Sequence, residues 1–147
     1  YHEPRTQIRI EFLKDPYFRI YFFHTEEKIY KTLVEFLKEH KSIYTVSLGL
    51  SELLADFRYV GEYVSEQNFD SEFVKFQTPV IESELIKSGL EIESGKRYFK
   101  EKMPIKMNKE RIIEKYNDVI FEPGGKTIKA KVKTYFNLEN GENITFF

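Results

Sequence analysis

The chain has 147 residues, 41% apolar and 16% aromatic, with 14 Phe, 10 Tyr, no Trp and no Cys. Such a composition excludes a disordered tail, and the lack of thiols excludes disulfides and thiolate metal sites, which fits a reducing cytoplasm. The net charge of −1 conceals an asymmetry: residues 1–94 carry 11 basic and 17 acidic side chains, whereas residues 95–135 carry 12 and 5.

A basic segment of that kind is what a polyanionic partner selects, although a short one also serves as a solvated face. No apolar run approaches the ~20 residues of a membrane helix, and no signal peptide is visible. One domain spanning 1–147 is expected, long enough for a core. It starts at Tyr1, already in a strand-like segment, so an N-terminal portion of a longer protein is expected upstream.

In chain order, Arg5 to Phe12 alternates Gln7, Arg9 and Glu11 against Ile8, Ile10 and Phe12, the period of a half-buried strand. Lys14-Asp15-Pro16 forms a turn. Residues 17–23 are apolar on both faces and predict a central strand paired with 5–12. Thr25 is placed to cap a helix with Glu26 and Glu27 in its first turn. Ile29, Leu33, Phe36 and Leu37 give it an apolar stripe, and Lys38, His40 and Lys41 close it.

Strands are expected at 43–48 and 57–64, joined through the corner Leu48-Gly49-Leu50-Ser51-Glu52. Gln67 to Asp70 predicts a turn and Phe73 to Phe76 a short strand. Val80, Ile81, Leu85, Ile86 and Leu90 suit a short helix, and Asn108 another carrying Ile112, Ile113 and Tyr116. The last segment predicts a three-strand meander. A strand at 118–122 leads to Pro123-Gly124-Gly125, a strand follows from Thr127, and a type I′ hairpin at Asn140-Gly141 returns residues 143–147.

Lys129, Lys131 and Lys133 share one strand face opposite Ile128, Ala130 and Val132, with Lys126 leading in from the Gly124-Gly125 turn. Such a ladder either tracks a phosphate backbone or guards an edge strand against aggregation. Arg97, Lys100, Lys102 and Lys106, interleaved with Tyr98 and Phe99, favour single-stranded nucleic acid, where bases stack on aromatic rings. His2, His24 and His40 have no metal-ligand spacing, so no metal and no cofactor are expected. His40-Lys41 has the residue types for metal-free RNA cleavage, but closing a helix is the simpler role. No phosphate-binding glycine loop, dinucleotide fingerprint, zinc-protease motif or nucleophile elbow is present.

Several segments together resemble one family. Arg5-Thr6-Gln7, Leu13 to Phe22 (LKDPYFRIYF), Leu48-Gly49-Leu50-Ser51-Glu52 and Tyr59-Val60-Gly61-Glu62-Tyr63 look like the CRISPR-associated Cas-five family, closest to its subtype I-B-like branch. So do Gly95-Lys96-Arg97-Tyr98-Phe99, Met103-Pro104 and Asn143 to Phe147 (NITFF), in the same order and approximate spacing.

The resemblance implies an α+β fold with a ferredoxin-like core (RNA-recognition-motif-like, as in repeat-associated RNA-binding proteins) and a C-terminal antiparallel β meander. Residues 1–95 would form the core part and 96–147 the basic extension. The chain would be the C-terminal two-thirds of a larger protein, without the family's first strand and helix. It further implies a non-catalytic, cytoplasmic scaffold that binds the 5′ handle of CRISPR RNA and caps the backbone filament of a Cascade-type complex in antiviral defence. Its partners would be the guide RNA, the Cas-seven backbone subunit and the large subunit. Arg5, Arg9 and Arg19, with Lys126, Lys129, Lys131 and Lys133, are the expected RNA contacts. Gly49, Ser51, Gly124 and Gly125 are structural joints. The alternatives are a metal-independent endoribonuclease that processes repeat RNA, known in one branch of that family, and a protein-interaction module.

Overall fold

The computed structural model describes residues 14–48, 50, 52–69 and 72–147. The chain divides into two compact units, residues 1–60 and 61–147. The 95/96 division drawn from the sequence falls inside the second unit. It is an α+β protein whose strands are almost all antiparallel.

Among the described residues of the first unit the one regular element is α1, Glu27–Lys38. Its apolar stripe is as expected, and Glu27 pairs with Lys31 one turn on, at 2.7 Å. The expected cap differs. Glu26 occupies the N-cap position with no side-chain cap bond, and its N–H donates to His24 Nδ1 at 2.9 Å. The helix closes as a Schellman motif: Lys41 N–H reaches Phe36 O at 2.8 Å and His40 N–H reaches Leu37 O at 3.3 Å. The motif needs a left-handed residue where glycine is usual, and here it is His40, with φ +55°.

No ladder within the described residues includes the strand expected at 17–23. Tyr17, Phe18, Ile20 and Phe23 of that segment are exposed. The expected partner, 5–12, lies outside the described residues. Among the described residues, segments 43–48 and 57–64 form no ladder beyond one antiparallel bridge, Ser47 to Leu54, flanking the glycine corner. Gly49 and Ser51 of that corner also lie outside the described residues.

The second unit holds two sheets. The larger has the order β1-β8-β9-β2-β7-β4, built from β1 (Ser65–Phe69), β2 (Val74–Phe76), β4 (Leu85–Glu91), β7 (Ile128–Val132), β8 (Thr134–Leu138) and β9 (Asn143–Ile144). The smaller has the order β3-β6-β5, from β3 (Val80–Ile81), β5 (Phe99–Met107) and β6 (Ile113–Phe121). One hydrophobic cluster joins both sheets. Val80 and Ile120 come from the smaller, and Phe76, Ile128, Ala130 and Val132 from the larger. All ten buried apolar residues among those described lie in this unit.

Five expectations are corrected here. Residues 67–69 belong to β1, and the segment 80–91 is β3, a single 3-10 turn at Glu82–Glu84, and β4. The Asn108 region is the end of the β5–β6 hairpin, not a helix. Asn108 Oδ1 accepts the Ile112 N–H at 2.8 Å, its own N–H donates to Ile112 O, and Arg111 turns the chain at φ +62°. The Asn140-Gly141 hairpin is not type I′. Only Gly141 has positive φ (+84°), and its N–H closes the turn to Leu138 O, the longer hairpin pattern with a left-handed glycine. Finally, the C-terminal meander is broken, because β6 belongs to the other sheet, while β9 and β2 separate β8 from β7. The Gly124-Gly125 turn therefore hands the chain from one sheet to the other. Gly125 takes φ +73°, and the Glu122 carboxylate accepts the Lys126 N–H at 3.0 Å and the Arg97 N–H at 3.4 Å.

Candidate nucleic-acid interface

β7 alternates as the sequence predicts: Ile128, Ala130 and Val132 face the core while Lys129 and Lys131 face away. It is not an edge strand, because β2 and β4 flank it, so guarding an edge does not explain these lysines. Lysine and proline guards stand instead on β5, the edge of the smaller sheet, as Lys100, Lys102, Pro104 and Lys106.

Register across the larger sheet sets Lys75 of β2 and Glu91 of β4 opposite Lys129. Phe73, just before β2, lies under both ladder lysines, with Lys129 Nζ 5.8 Å and Lys131 Nζ 4.8 Å from its ring centre. The result is a ring beneath two cations, with a third, Lys75, set opposite Lys129 by register. Phe73 and Lys75 were missed by sequence reasoning, although the alternation of 73–76 sets them on the face opposite Val74 and Phe76. Only the β2–β7 register brings them to the ladder.

Carboxylates also occupy this face. Lys129 pairs with Glu91 at 2.8 Å, and this hydrogen bond raises the lysine above its usual range against the opposing effect of burial. Lys131 pairs with Glu72 at 3.2 Å, and the Glu72 side chain is 93% exposed. Lys75 makes no ion pair among the described residues, and its charge helps hold the Glu93 carboxyl below the usual range, after the larger effect of the Lys96 hydrogen bond.

The remaining lysines are tied to carbonyls. Lys126 Nζ donates to Gly95 O at 2.8 Å and Lys133 Nζ to Ser83 O at 2.7 Å. They hold loops and do not extend the ladder. Lys96 does the same from a half-buried position, bonding Glu93 and, at 2.7 Å, Thr127 O. Arg19 is exposed in the first unit. Arg5 and Arg9 lie outside the described residues.

The basic-aromatic segment is partly structural as well. Tyr98 packs against the core, its hydroxyl donating to Glu91 O and accepting the Glu93 N–H, so it is no stacking platform. Lys100 bonds Glu82 and Asp118, and Lys106 bonds Glu114 at 2.8 Å. Along the β5–β6 hairpin, Lys102, Lys109, Arg111 and Lys115 form no ion pair among the described residues. Exposed Met107, Ile112 and Tyr116 accompany them.

One histidine is held in a defined pose. His40 Nε2 lies 3.1 Å from Asp56 Oδ1, and its ring stacks on Phe57 at 4.6 Å and 10°. The Phe57 N–H in turn bonds Asp56 Oδ1 at 2.9 Å. No cluster of three or more possible metal ligands occurs among the described residues, and no described helix is long and apolar enough to cross a membrane. Comparison with known protein families, curated proteins and solved structures finds no match.

Proposed function

We propose that the chain is a non-catalytic RNA-binding scaffold subunit of a type I CRISPR interference complex, acting in the cytoplasm on the 5′ handle of the guide RNA. In this reading it is a Cas-five-like protein, its core is part of a ferredoxin-like fold, and the Cas-seven backbone subunit and the large subunit are its neighbours. The order and spacing of the matching segments support the family. The observation that carries RNA binding is the Phe73 ring set among Lys75, Lys129 and Lys131 on one sheet face. An aromatic ring within a cationic row suits single-stranded RNA, whose bases stack while its phosphates take the charges.

The ion pairs on this face do not oppose the reading. Exposed pairs such as Lys131–Glu72 hold only about 0–1 kcal/mol, so a phosphate can replace the carboxylate. The experiment is binding of a repeat-derived 5′-handle RNA against a scrambled RNA of the same length. Preference for the handle, weakening with salt, is expected; equal binding of both rejects handle recognition.

A second reading, metal-independent cleavage of repeat RNA, draws on the pose of His40. A carboxylate on one ring nitrogen orients an imidazole as a general base. Cleavage of repeat RNA in EDTA, lost in His40→Ala and in Asp56→Asn, would place this reading first. An uncut RNA removes it.

A further inference from the structure

In the second unit a cavity of about 100 Å³ is lined by Ile81, Glu84, Thr134, Phe136, Thr145 and Phe146. Its walls are fastened on both sides. Lys133 N–H and Nζ bond Glu84 O and Ser83 O, tying the 3-10 turn to the start of β8. Thr145 N–H and Oγ1 bond Thr78 Oγ1 and Pro79 O, tying the chain after β9 to the start of β3. Phe136 and Phe146 meet edge to face at 5.2 Å. Glu84 is half-buried and is the one ionisable residue among those lining the cavity. Among the described residues its carboxylate takes no hydrogen bond or ion pair.

A half-buried carboxylate without a partner, beside two aromatic rings, is matched by a cation. Size narrows the choice, since about 100 Å³ is well below the roughly 300–1,000 Å³ of a typical small-molecule or cofactor site. Charge narrows it further: a lone carboxylate repels phosphate, so this is no extension of an RNA surface. A planar guanidinium satisfies both requirements at once, because it forks onto a carboxylate and lies against aromatic faces, which a compact ammonium does less well. We propose that this cavity is a docking socket for an arginine side chain presented by another polypeptide, with Glu84 as its counter-ion and Phe136 and Phe146 as its apolar wall. The socket stands whether or not the chain binds RNA.

The test titrates Nα-acetyl-arginine amide into the 147-residue protein and follows the Phe136 and Phe146 ring and Thr134 and Thr145 methyl signals by NMR. Saturable shifts are expected. They should weaken about tenfold or more with the neutral, same-shaped citrulline amide, the worth of one charge-assisted hydrogen bond. Glu84→Gln should weaken the arginine compound to the same degree while leaving the other core signals in place. The citrulline comparison uses the unaltered protein, so it stands even where the variant misfolds. No saturable shift, equal response to citrulline, or stronger response to guanosine or to the lysine amide overturns the proposal.

Discussion

The two units differ in how their apolar residues are used. Residues 61–147 bury Phe76, Val80, Val119, Ile128, Val132 and Ile144 completely or nearly so, whereas α1 buries none of its residues and the exposed segment around it carries Tyr17, Phe18, Ile20, Ile43 and Tyr44. Both have aromatic-rich sequence, so composition alone does not make a core. In the second unit alternating residues from strands of both sheets converge on one cluster, while the described part of the first unit offers a single stripe. The lesson extends to the interface, because the same register that buries Ile128 and Ala130 also holds Lys129 and Lys131 over Phe73.

The comparison breaks most sharply at Phe76. Phe76→Ala empties the centre of the cluster and loses the edge-to-face contact with Tyr135 at 5.7 Å. It should cost about 3–5 kcal/mol in urea denaturation. Ile29→Ala on α1, a residue 44% exposed, should change stability by no more than about 0.5 kcal/mol. Equal losses would show that the two units are packed alike.

Next in size is Gly89→Ala in β4. A Cβ there would sit 2.5 Å from Ile86 O and 2.6 Å from Lys131 O, both backbone atoms. Overpacking of about 1–3 kcal/mol is expected, with the β4–β7 pairing lost first and visible as faster amide exchange in Leu90 and Glu91. At Gly95 a Cβ meets nothing within 4 Å, so Gly95→Ala carries only the strain of φ +79°, about 1–2 kcal/mol.

A smaller effect follows from pH. The Lys96 hydrogen bond holds Glu93 below the usual carboxylate range, and the Lys126, Arg97 and Gly124 N–H groups do the same for Glu122. A depressed carboxyl contributes stability that is complete above its unfolded value and is lost as pH falls through its folded value. The second unit should therefore lose stability on the acid side. In Glu93→Gln and Glu122→Gln this acid limb should flatten, as read from thermal midpoints across pH.

Some of this was legible from residues alone. The 3.6-residue stripe of Ile29, Leu33, Phe36 and Leu37 located α1, and the alternation of 128–133 located β7 with the correct residues inward. Local patterns of this kind persist because each element carries its own periodicity. Strand order was not legible. Nothing local says that β9 and β2 enter between β8 and β7, or that β6 crosses to another sheet. Short apolar runs such as 80–90 and 112–116 fit helix or strand equally, and here their cross-strand partners decided. Of the expected interface, Lys129 and Lys131 converge, Lys126 and Lys133 hold loops, and Phe73 and Lys75 join through a register that no linear pattern encodes.

The most direct measurement of the central claim is the salt dependence of single-stranded RNA binding by the 147-residue chain and by its Lys129→Ala/Lys131→Ala variant. The account predicts that binding weakens as salt rises and that the variant binds more weakly, with a log–log slope shallower by about one to two. Phe73→Ala should lower affinity while leaving that slope unchanged. Identical affinity and slope for the unaltered chain and the lysine variant would contradict it.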